Sequence, residues 1–341
     1  MDTVDVSFPG LGWTFKVSSI AFKIGSIEIY WYGLIIALGM VLCVALALRH
    51  AKENKFSQDL IYDIVLVSLP SALVGARLYY VLCEWDYYSA DFKRIFDTRG
   101  GGLAVYGGIA GAFLGAFIML RIKKIPYSTC ADYCIPYIPL GQAIGRWGNF
   151  FNQEAFGTTT DLPWGMTSSK VQSYLAAYCP NLISTKPVHP TFLYESIWDL
   201  ALFFILLKVR KKSKHSFETL CVYMIGYGIV RFLIEGLRTD SLYIGNTNIR
   251  TSQLLSLILV FFGLIYIIIA HYKDYYRVAL PEKCFASEMK EKVSKANVTA
   301  IVSENGKGTE ASAEESSDDE KVSEADDAPS DDDTEDGEED K

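Results

Sequence analysis

The sequence predicts an all-α integral membrane protein with seven transmembrane helices, its N-terminus outside, its C-terminus in the cytoplasm and a disordered acidic tail. Half of the 341 residues are hydrophobic. They recur in apolar runs of roughly 20 residues, the length of helix that crosses the hydrocarbon layer of a bilayer. Charge is divided unevenly, because residues 288–341 hold 20 acidic and 6 basic residues while the whole chain carries −8.

Seven apolar stretches are the predicted spans: 30–48, 60–82, 102–120, 129–148, 191–207, 217–236 and 252–271. The fourth is the weakest by hydropathy, because it contains Asp132 and ends in a polar patch. The second span contains Arg77, and the sixth contains Arg231 and Glu235.

Lysine and arginine in the short loops predict the orientation of the spans. Three short loops carry 11 positive charges, opposed only by Glu53 and Asp59: 49–59, 121–126 and 208–215. The alternate loops are longer and mixed in sign. Because basic loops stay in the cytoplasm, we expect the N-terminus outside and the C-terminus inside.

The predicted organisation has three segments: an outer-face N-terminal segment over 1–29, a transmembrane body over 30–272 and a cytoplasmic C-terminal segment over 273–341. We expect disorder from about residue 288, since a segment this acidic cannot bury enough apolar surface to offset the entropy of ordering. A solvated solubility tail and a specific interaction arm both fit its composition.

The stretch GQAIGRWGNFFNQEAFG, residues 141–157, combines an apolar helix end with a dense group of polar side chains: Arg146, Asn149, Asn152, Gln153 and Glu154. Ionisable groups at the edge of a hydrocarbon layer are expensive to bury, so they indicate a functional site. Its glycines let backbone or substrate approach closely.

The sixth span ends in a polar helix face. Tyr227, Arg231, Glu235 and Arg238 share that face by their spacing. An Arg231–Glu235 ion pair that only fixes helix packing is one interpretation. The other interpretation adds Arg77 and Arg146. Three arginines carry more positive charge than one carboxylate neutralises, so a phosphate, which guanidinium binds bidentately, is the missing partner.

Two further regions bear on the site. Gly107, Gly111 and Gly115 have the spacing of a close helix-packing ridge. Gly101 and Gly102, with Tyr106 among the glycines, suggest a cavity on the outer side. In the fifth-span region, His189 is a loop residue or a base, and Tyr194 and Glu195 can add hydrogen bonds to the same cavity.

Catalytic motifs of other classes are not found in the sequence. Nothing resembles a Ser/His/Asp triad, a phosphate-binding glycine loop or a metal-ligand cluster, so we expect no metal site. The seven cysteines are scattered, and the Cys130–Cys134 spacing does not fit a redox pair. Phosphate chemistry would therefore depend on arginines and backbone groups.

These residues resemble the bacterial prolipoprotein diacylglyceryl transferases. GRWGNFFNQEAFG is similar to the family's signature, and the likeness extends from about residue 20 to 272 through five further motifs: WYGLIIALG (31–39), GARLYYV (75–81), GGLAVYGG (101–108), HPTFLYES (189–196) and RFLIEGLR (231–238). The family's seven-span, N-outside topology agrees with the reading of the charges.

The resemblance implies an enzyme of the bacterial plasma membrane that modifies proteins with lipid. Such enzymes move the diacylglyceryl group of phosphatidylglycerol to the lipobox cysteine thiol of a prolipoprotein and release glycerol phosphate. The implied partners are phosphatidylglycerol, prolipoprotein signal peptides and membrane lipids, with no nucleic acid, no cofactor and no metal.

The resemblance also implies roles for individual residues of this chain. Arg231 is expected to stabilise the leaving phosphate and Glu235 to orient Arg231, while Arg146 is expected both to bind the head group and to act in catalysis. The other residues expected to bind phosphatidylglycerol are Asn149, Asn152, Glu154, Gly157, Tyr32, Arg77 and Arg238.

Tyr106 marks a departure from the family. Many members have histidine at this position, where it is a natural candidate to activate the thiol. Tyrosine, with an ordinary pKa near 10, is a poor base at neutral pH unless arginines lower that pKa. We expect Tyr106, counted among the catalytic residues, to position substrate rather than to take the proton.

Two other classes fit a chain with seven apolar spans. A multi-pass transporter is one, although the internal repeats common among transporters are not found in this sequence. Another phospholipid-head-group transferase is the second and shares the expected chemistry. The signature motif favours the diacylglyceryl transferase.

Overall fold

The computed structural model describes residues 3–89, 91–97, 101–244 and 247–280. Most of this part of the chain is helical, and its α-helices are α1 (Trp31–Ala51), α2 (Gln58–Cys83), α3 (Trp85–Ser89), α4 (Val105–Ile122), α5 (Tyr127–Cys134), α6 (Tyr137–Asn152), α7 (Ser169–Tyr178), α8 (Thr191–Lys212), α9 (Glu218–Leu237) and α10 (Thr251–Tyr272). The acidic tail predicted from residue 288 lies outside the described residues.

Five helices are long and apolar enough to cross a membrane, counted over the described residues: α1, α2, α4, α9 and α10. They coincide with five of the predicted spans and confirm those as membrane-sized helices. Each has 18 residues or more, which suits the thickness of a bilayer core. This is the pattern of an integral membrane protein.

The other two predicted spans have a different construction. The span predicted over 129–148 is divided between α5 and α6, with Ile135 and Pro136 between them; proline has no N–H for the helical hydrogen bond. The span predicted over 191–207 is one helix, α8, of 22 residues. Charged residues, Glu195, Asp199 and Arg210 among them, make α8 less apolar than its neighbours.

The all-α expectation is wrong for the N-terminal segment, which forms strands β1 (Thr3–Phe8), β2 (Trp13–Ser18), β3 (Ile20–Ile24) and β4 (Ile27–Tyr30). β1 pairs antiparallel with β2 and with the two-residue β5 (Thr167–Ser168), and β3 pairs antiparallel with β4. Val6 and Phe8 alternate with polar residues and are buried, the period of a strand with one covered face. Gly12 and Gly25, both with positive φ, make the two turns.

Two hydrophobic clusters hold the described part together. One joins the ends of α1 and α4 and the start of α2 to α5 and α6, and it includes Ala51, Leu60, Leu120, Tyr133 and Leu140. The other lies under the β1–β2 hairpin and joins it to α7 and the start of α8. The second cluster anchors the N-terminal strands on the segment that follows α6.

Helices α2 and α4 approach closely through glycines, as the spacing predicted. A Cβ built on Gly107 would lie 2.4 Å from the carbonyl oxygen of Gly75, and one on Gly111 would lie 2.2 Å from that of Ser71. Carbon cannot approach oxygen that closely, so only glycine lets the two backbones make this contact.

Candidate active site

Four charged side chains from three helices meet near the C-terminal ends of α6 and α9 and the N-terminal end of α8. Arg146 of α6 forms an ion pair with Glu195 of α8 through Nη2 and Oε2. Arg231 of α9 contacts the other oxygen of Glu195, with 3.0 Å between Nη1 and Oε1. Arg231 also pairs with Glu235, with 2.7 Å between Nη2 and Oε2. We call these four residues the arginine–glutamate cluster.

The carboxylates of this cluster are more enclosed than the guanidiniums. Only 5% and 2% of the Glu195 and Glu235 side chains is exposed, against 20% for Arg146 and 14% for Arg231. A buried charge is stable only when it is paired and hydrogen-bonded. The glutamates therefore hold the two guanidiniums in place from behind, while the guanidiniums keep an accessible face.

The expected excess of arginine over carboxylate is wrong for this cluster. Arg146 and Arg231 face two glutamates, and buried Asp199 lies one turn beyond Glu195 on α8. The sequence interpretation paired Arg231 with Glu235 alone, because these residues share one helix. Glu195 and Asp199 lie on a different helix, α8, and the spacing of residues within α9 cannot reveal contacts with them.

The end of α9 is fixed by further arginine contacts. Arg250 donates from Nη1 to the carbonyl oxygen of Glu235, one of the last carbonyls of the helix, which have no partner within it. Arg238 makes a bidentate pair with Asp240, with Nε–Oδ1 and Nη2–Oδ2 distances of 2.9 and 2.7 Å. The predicted binding residue Arg238 is thus already paired with a carboxylate.

The polar residues at the end of α6 contact one another. Asn149 and Asn152 both donate from Nδ2 to Oε1 of Glu154, over 3.0 and 3.3 Å. The chain leaves the helix through Gln153, whose φ is +51°, and its buried amide oxygen accepts from Ser168 Oγ at 2.5 Å. Gln153 therefore anchors the turn that carries this polar group.

Gly157 lies where three segments converge. Its N–H donates to the carbonyl oxygen of His189 over 2.9 Å, and it pairs with Arg238 in an isolated β-bridge. A Cβ built on it would lie 2.8 Å from Cβ of His189 and 3.2 Å from Cγ2 of Thr191. Gly157 thus connects the signature segment to the start of α8 and the end of α9.

Tyr32 and Tyr106 occupy the first turns of α1 and α4. The Tyr32 ring lies against Gly148 of α6, where a Cβ would come within 2.5 Å of it. Trp31 beside it stacks on Phe151, with 5.0 Å between ring centroids. Tyr106 is 46% exposed and belongs to none of the polar contacts described above. Tyr32 therefore packs on the signature helix, and Tyr106 lies free of the cluster.

The structure gives Arg77 a role at a loop. All five of its N–H donors, the full number a guanidinium has, go to backbone carbonyls: those of Ile95, Gly101, Gly102, Arg94 and Asp97. Its side chain also lies over the Tyr88 ring, 5.0 Å from the centroid. In this arrangement Arg77 has no donor left for a phosphate.

A cavity of about 590 Å³ lies beside this loop. Its walls include Tyr80, Glu84, Arg94, Gly101 and Gly102. A cavity is therefore present at Gly101 and Gly102, but Tyr106, Tyr194 and Glu195, which the sequence analysis placed at the same cavity, are not among its lining residues. Gly101 and Gly102 have φ of +95° and +78°, a conformation that glycine adopts without strain.

His189 lies in the loop before α8, beside the hydroxyl of Tyr194. Its Nδ1 is 3.2 Å from the hydroxyl of Tyr194, which also accepts from Trp164 Nε1 at 2.8 Å. Burial lowers the pKa of His189 below its ordinary value, since burial disfavours the charged form. This environment suits a neutral hydrogen-bonding residue at the start of α8.

Potential metal ligands do converge elsewhere in the described residues, although none was expected from the sequence. His215, Glu218 and His271 bring one ligand atom each to within 4.8 Å of the others. They lie before and at the start of α9 and at the end of α10, 13 residues of α9 away from Arg231. The group is separate from the arginine–glutamate cluster.

Comparison with known proteins identifies the family. A family model described as prolipoprotein diacylglyceryl transferase matches residues 19–269. A Finegoldia magna protein named phosphatidylglycerol–prolipoprotein diacylglyceryl transferase is 47% identical over 247 residues, which are 72% of this chain and 93% of that protein. One of the same name from Clostridioides difficile is 44% identical over 246 residues, 72% and 92% of the two chains. The chain therefore belongs to the prolipoprotein diacylglyceryl transferase family, as its motifs indicated.

Proposed function

We propose that this protein transfers the diacylglyceryl group of phosphatidylglycerol to the lipobox cysteine thiol of prolipoproteins and releases glycerol phosphate. Family membership carries the enzyme class and the two substrates, since relatives that share this sequence over most of their length bear that name. The observation that carries the mechanism is the arginine–glutamate cluster, in which Glu195 holds Arg146 and Arg231 side by side.

The reaction is a substitution at the carbon of the diacylated glycerol that bears the phosphate. The cysteine sulfur forms a bond to this carbon, and the carbon–oxygen bond to phosphate breaks. The bonding electrons leave on glycerol phosphate, and the thiol proton is lost to that product or to solvent. Negative charge grows on the leaving phosphate oxygen, so fixed positive groups beside it lower the barrier.

Arg231 is the proposed group that stabilises the leaving phosphate. Two glutamates hold its guanidinium, with Nη1–Oε1 and Nη2–Oε2 distances of 3.0 and 2.7 Å. Such double anchoring fixes the charge before the reaction, so little reorganisation is needed in the transition state. Glu235 orients Arg231 from the same helix, and Glu195 does so from α8.

Arg146 is the proposed contact of the lipid phosphate in the ground state. It is the more exposed of the two arginines, and its planar fork matches phosphate bidentately. Asn149, three residues along α6, would add a hydrogen bond to the glycerol head group once its contact with Glu154 opens. Asn152, Glu154, Gly157, Tyr32 and Arg238 would line the remainder of the lipid and peptide site.

Arg77 and Tyr106 have less direct roles in this proposal than the residues of the arginine–glutamate cluster. Arg77 would act on phosphatidylglycerol indirectly, by shaping the loop at the 590 Å³ cavity, because its donors are engaged by carbonyls. Tyr106, at the start of α4, would position substrate. The thiolate would then be stabilised by the positive potential of the arginines rather than by a tyrosine base.

The proposed topology has seven crossings in a bacterial plasma membrane, with the N-terminus outside. α5 and α6 together form one crossing, and α8 forms another. Arg146 lies six residues before the end of α6, which is about 9 Å of helix. The cluster would then lie within the outer leaflet, where lipid and an exported peptide can both reach it.

The test uses the purified full chain in detergent with phosphatidylglycerol and a lipobox peptide, following peptide mass and glycerol phosphate release. We expect a diacylglyceryl mass gain with stoichiometric glycerol phosphate, absent with a Cys→Ser peptide and in Arg146→Ala. Asp161→Asn is the matched control, because Asp161 belongs to an exposed ion pair with Lys186, and such pairs contribute little. No transfer by well-folded protein, or transfer of a different head-group fragment, would refute the proposal and favour a transporter or another transferase.

A further inference from the structure

We propose that His215, Glu218 and His271 form a binding site for a divalent transition-metal ion of the zinc type. The three residues lie at the end of α9 opposite the arginine–glutamate cluster. The inference is therefore independent of the transfer reaction. It depends on the geometry of the ligand atoms, on the groups that orient them and on the backbone that holds their two segments together.

The ligand atoms are close to the spacing that a metal needs. His215 Nδ1 lies 3.6 Å from Oε2 of Glu218, and His271 Nε2 lies 4.0 Å from Oε1. A tetrahedral zinc with bonds of about 2.0–2.1 Å separates its ligand atoms by about 3.4 Å. The two distances run to different oxygens of Glu218, and one ligand atom from each residue lies within 4.8 Å of the others. Side-chain rotations that shorten these separations would complete the site. Two imidazoles and a carboxylate leave a fourth position for water, as in His₂Glu zinc sites.

Each of two ligands has an outer partner of the kind that metal sites use. Nδ1 of His271 lies 2.9 Å from the carbonyl oxygen of Ile267. A proton on that nitrogen, donated to the carbonyl, leaves Nε2 unprotonated and directed at the site. Ser213 Oγ donates to Oε2 of Glu218 over 2.6 Å. Such outer contacts fix the tautomer and the orientation of metal ligands.

The backbone joins the two segments that carry the ligands. Ser216 N–H donates to the carbonyl oxygen of Tyr275 over 2.8 Å, and Arg277 N–H donates to that of Lys214 over 2.7 Å. The His215 ring stacks on Tyr276, with 5.3 Å between centroids. The loop before α9 and the chain after α10 are therefore aligned by these contacts. A bound ion would lock this alignment.

The charged groups around the site permit a cation. Arg277 contacts Ser213, which bonds Glu218, and its Nη2 is engaged by Asp132 Oδ2 at 3.3 Å and by Ser213 Oγ at 3.1 Å. His271 lies in the last turn of α10, where the helix dipole favours positive charge. Imidazole ligands select zinc, copper or nickel over magnesium or calcium.

The test measures zinc on the full chain, purified in detergent with an affinity tag that contains no histidine. The protein is stripped with a chelator, incubated with Zn²⁺ in excess Mg²⁺ and desalted, and bound zinc is measured by elemental analysis. Magnesium blocks adventitious binding to the acidic residues beyond 288, since carboxylates alone prefer hard cations. We expect one zinc per chain and a zinc-dependent rise in the thermal unfolding midpoint.

Variants of the ligands decide whether that zinc is at this site. His271→Ala and Glu218→Gln are expected to weaken zinc binding at least tenfold and to abolish the shift in midpoint. His50→Ala is the matched control: it removes a histidine from the end of α1, where Nδ1 is 3.0 Å from the Tyr137 hydroxyl, and should retain zinc. Because the His271 side chain is about half exposed, its replacement should not impair folding. Equal zinc retention by wild type and His271→Ala, or no zinc in the wild type, would overturn the site and leave a histidine–glutamate ion pair.

Discussion

Glu195 of α8 accepts a hydrogen bond from Arg231 of α9, with 3.0 Å between Oε1 and Nη1, and its second oxygen pairs with Arg146 of α6. One carboxylate thus sets the separation of two guanidiniums that belong to different helices. Phosphate binding by two arginines requires such a fixed separation, because both must reach the same anion.

We expect Glu195→Gln to lower the turnover number for diacylglyceryl transfer by about tenfold to a hundredfold. The amide keeps the shape of the side chain but removes the charge that anchors both arginines, so transition-state stabilisation is lost. Rates are measured across phosphatidylglycerol concentrations to separate kcat from KM. Asp161→Asn serves as the surface control, and a Glu195→Gln enzyme with wild-type kcat would contradict the anchoring role.

Gly157→Ala is expected to abolish most activity, because the added methyl group would lie 2.8 Å from Cβ of His189 and 3.2 Å from Thr191. The crowding would push the signature segment away from the start of α8. Gly145→Ala is the paired variant, since a Cβ there meets nothing within 4 Å and alanine favours the helix. Equal activity of the two variants would show that the contact at Gly157 is not needed.

The loop held by Arg77 gives a test of stability. Gly102→Ala would place a methyl group 2.3 Å from Nη1 of Arg77, whereas Gly101→Ala meets no atom within 4 Å. Both have positive φ, so both pay for backbone strain, a cost above about 1 kcal/mol. We expect the larger drop in unfolding midpoint for Gly102→Ala and faster proteolysis of the loop. Identical midpoints would indicate that Arg77 does not organise this loop.

Tyr106→Phe is expected to retain transfer activity within a few-fold between pH 6 and 9. Tyr106 is 46% exposed and apart from the charged cluster, a position that suits substrate contact. The measurement is the pH profile of kcat/KM for variant and wild type. Loss of the alkaline or acidic limb in Tyr106→Phe alone would assign proton transfer to this hydroxyl.

Most of the fold could be predicted from apolar runs. The helices α1, α2, α4, α9 and α10 are long and uniformly apolar, so local composition was sufficient to find them. The strands β1 to β4 were missed because they are short, at four to six residues, and the burial of β1 and β2 comes from α7 and the segment after α6. That tertiary contribution is not visible in a local pattern.

The site could be predicted only in part. Motif matching selected Arg146, Arg231 and Glu235, which the structure brings into one cluster. Glu195 was assigned only a hydrogen-bonding role, because its partners Arg146 and Arg231 are on other helices. Arg77 shows the opposite case. Its place in an apolar span predicted that it binds phosphate, but its five N–H groups donate to backbone carbonyls instead. Partners distant in sequence decided each of these cases.

The polar character of α6 and α8 has a consequence for mapping topology with reporters. If a hydropathy count omits both helices, it gives five crossings instead of seven. Both numbers are odd, so both place the C-terminus on the side of the membrane opposite the N-terminus. A reporter fused to the C-terminus would therefore give the same answer for either count. A reporter inserted after Asn181, an exposed loop residue, would lie outside the cell with seven crossings and inside with five. Reporter placement between α7 and α8 is thus the informative choice for this chain.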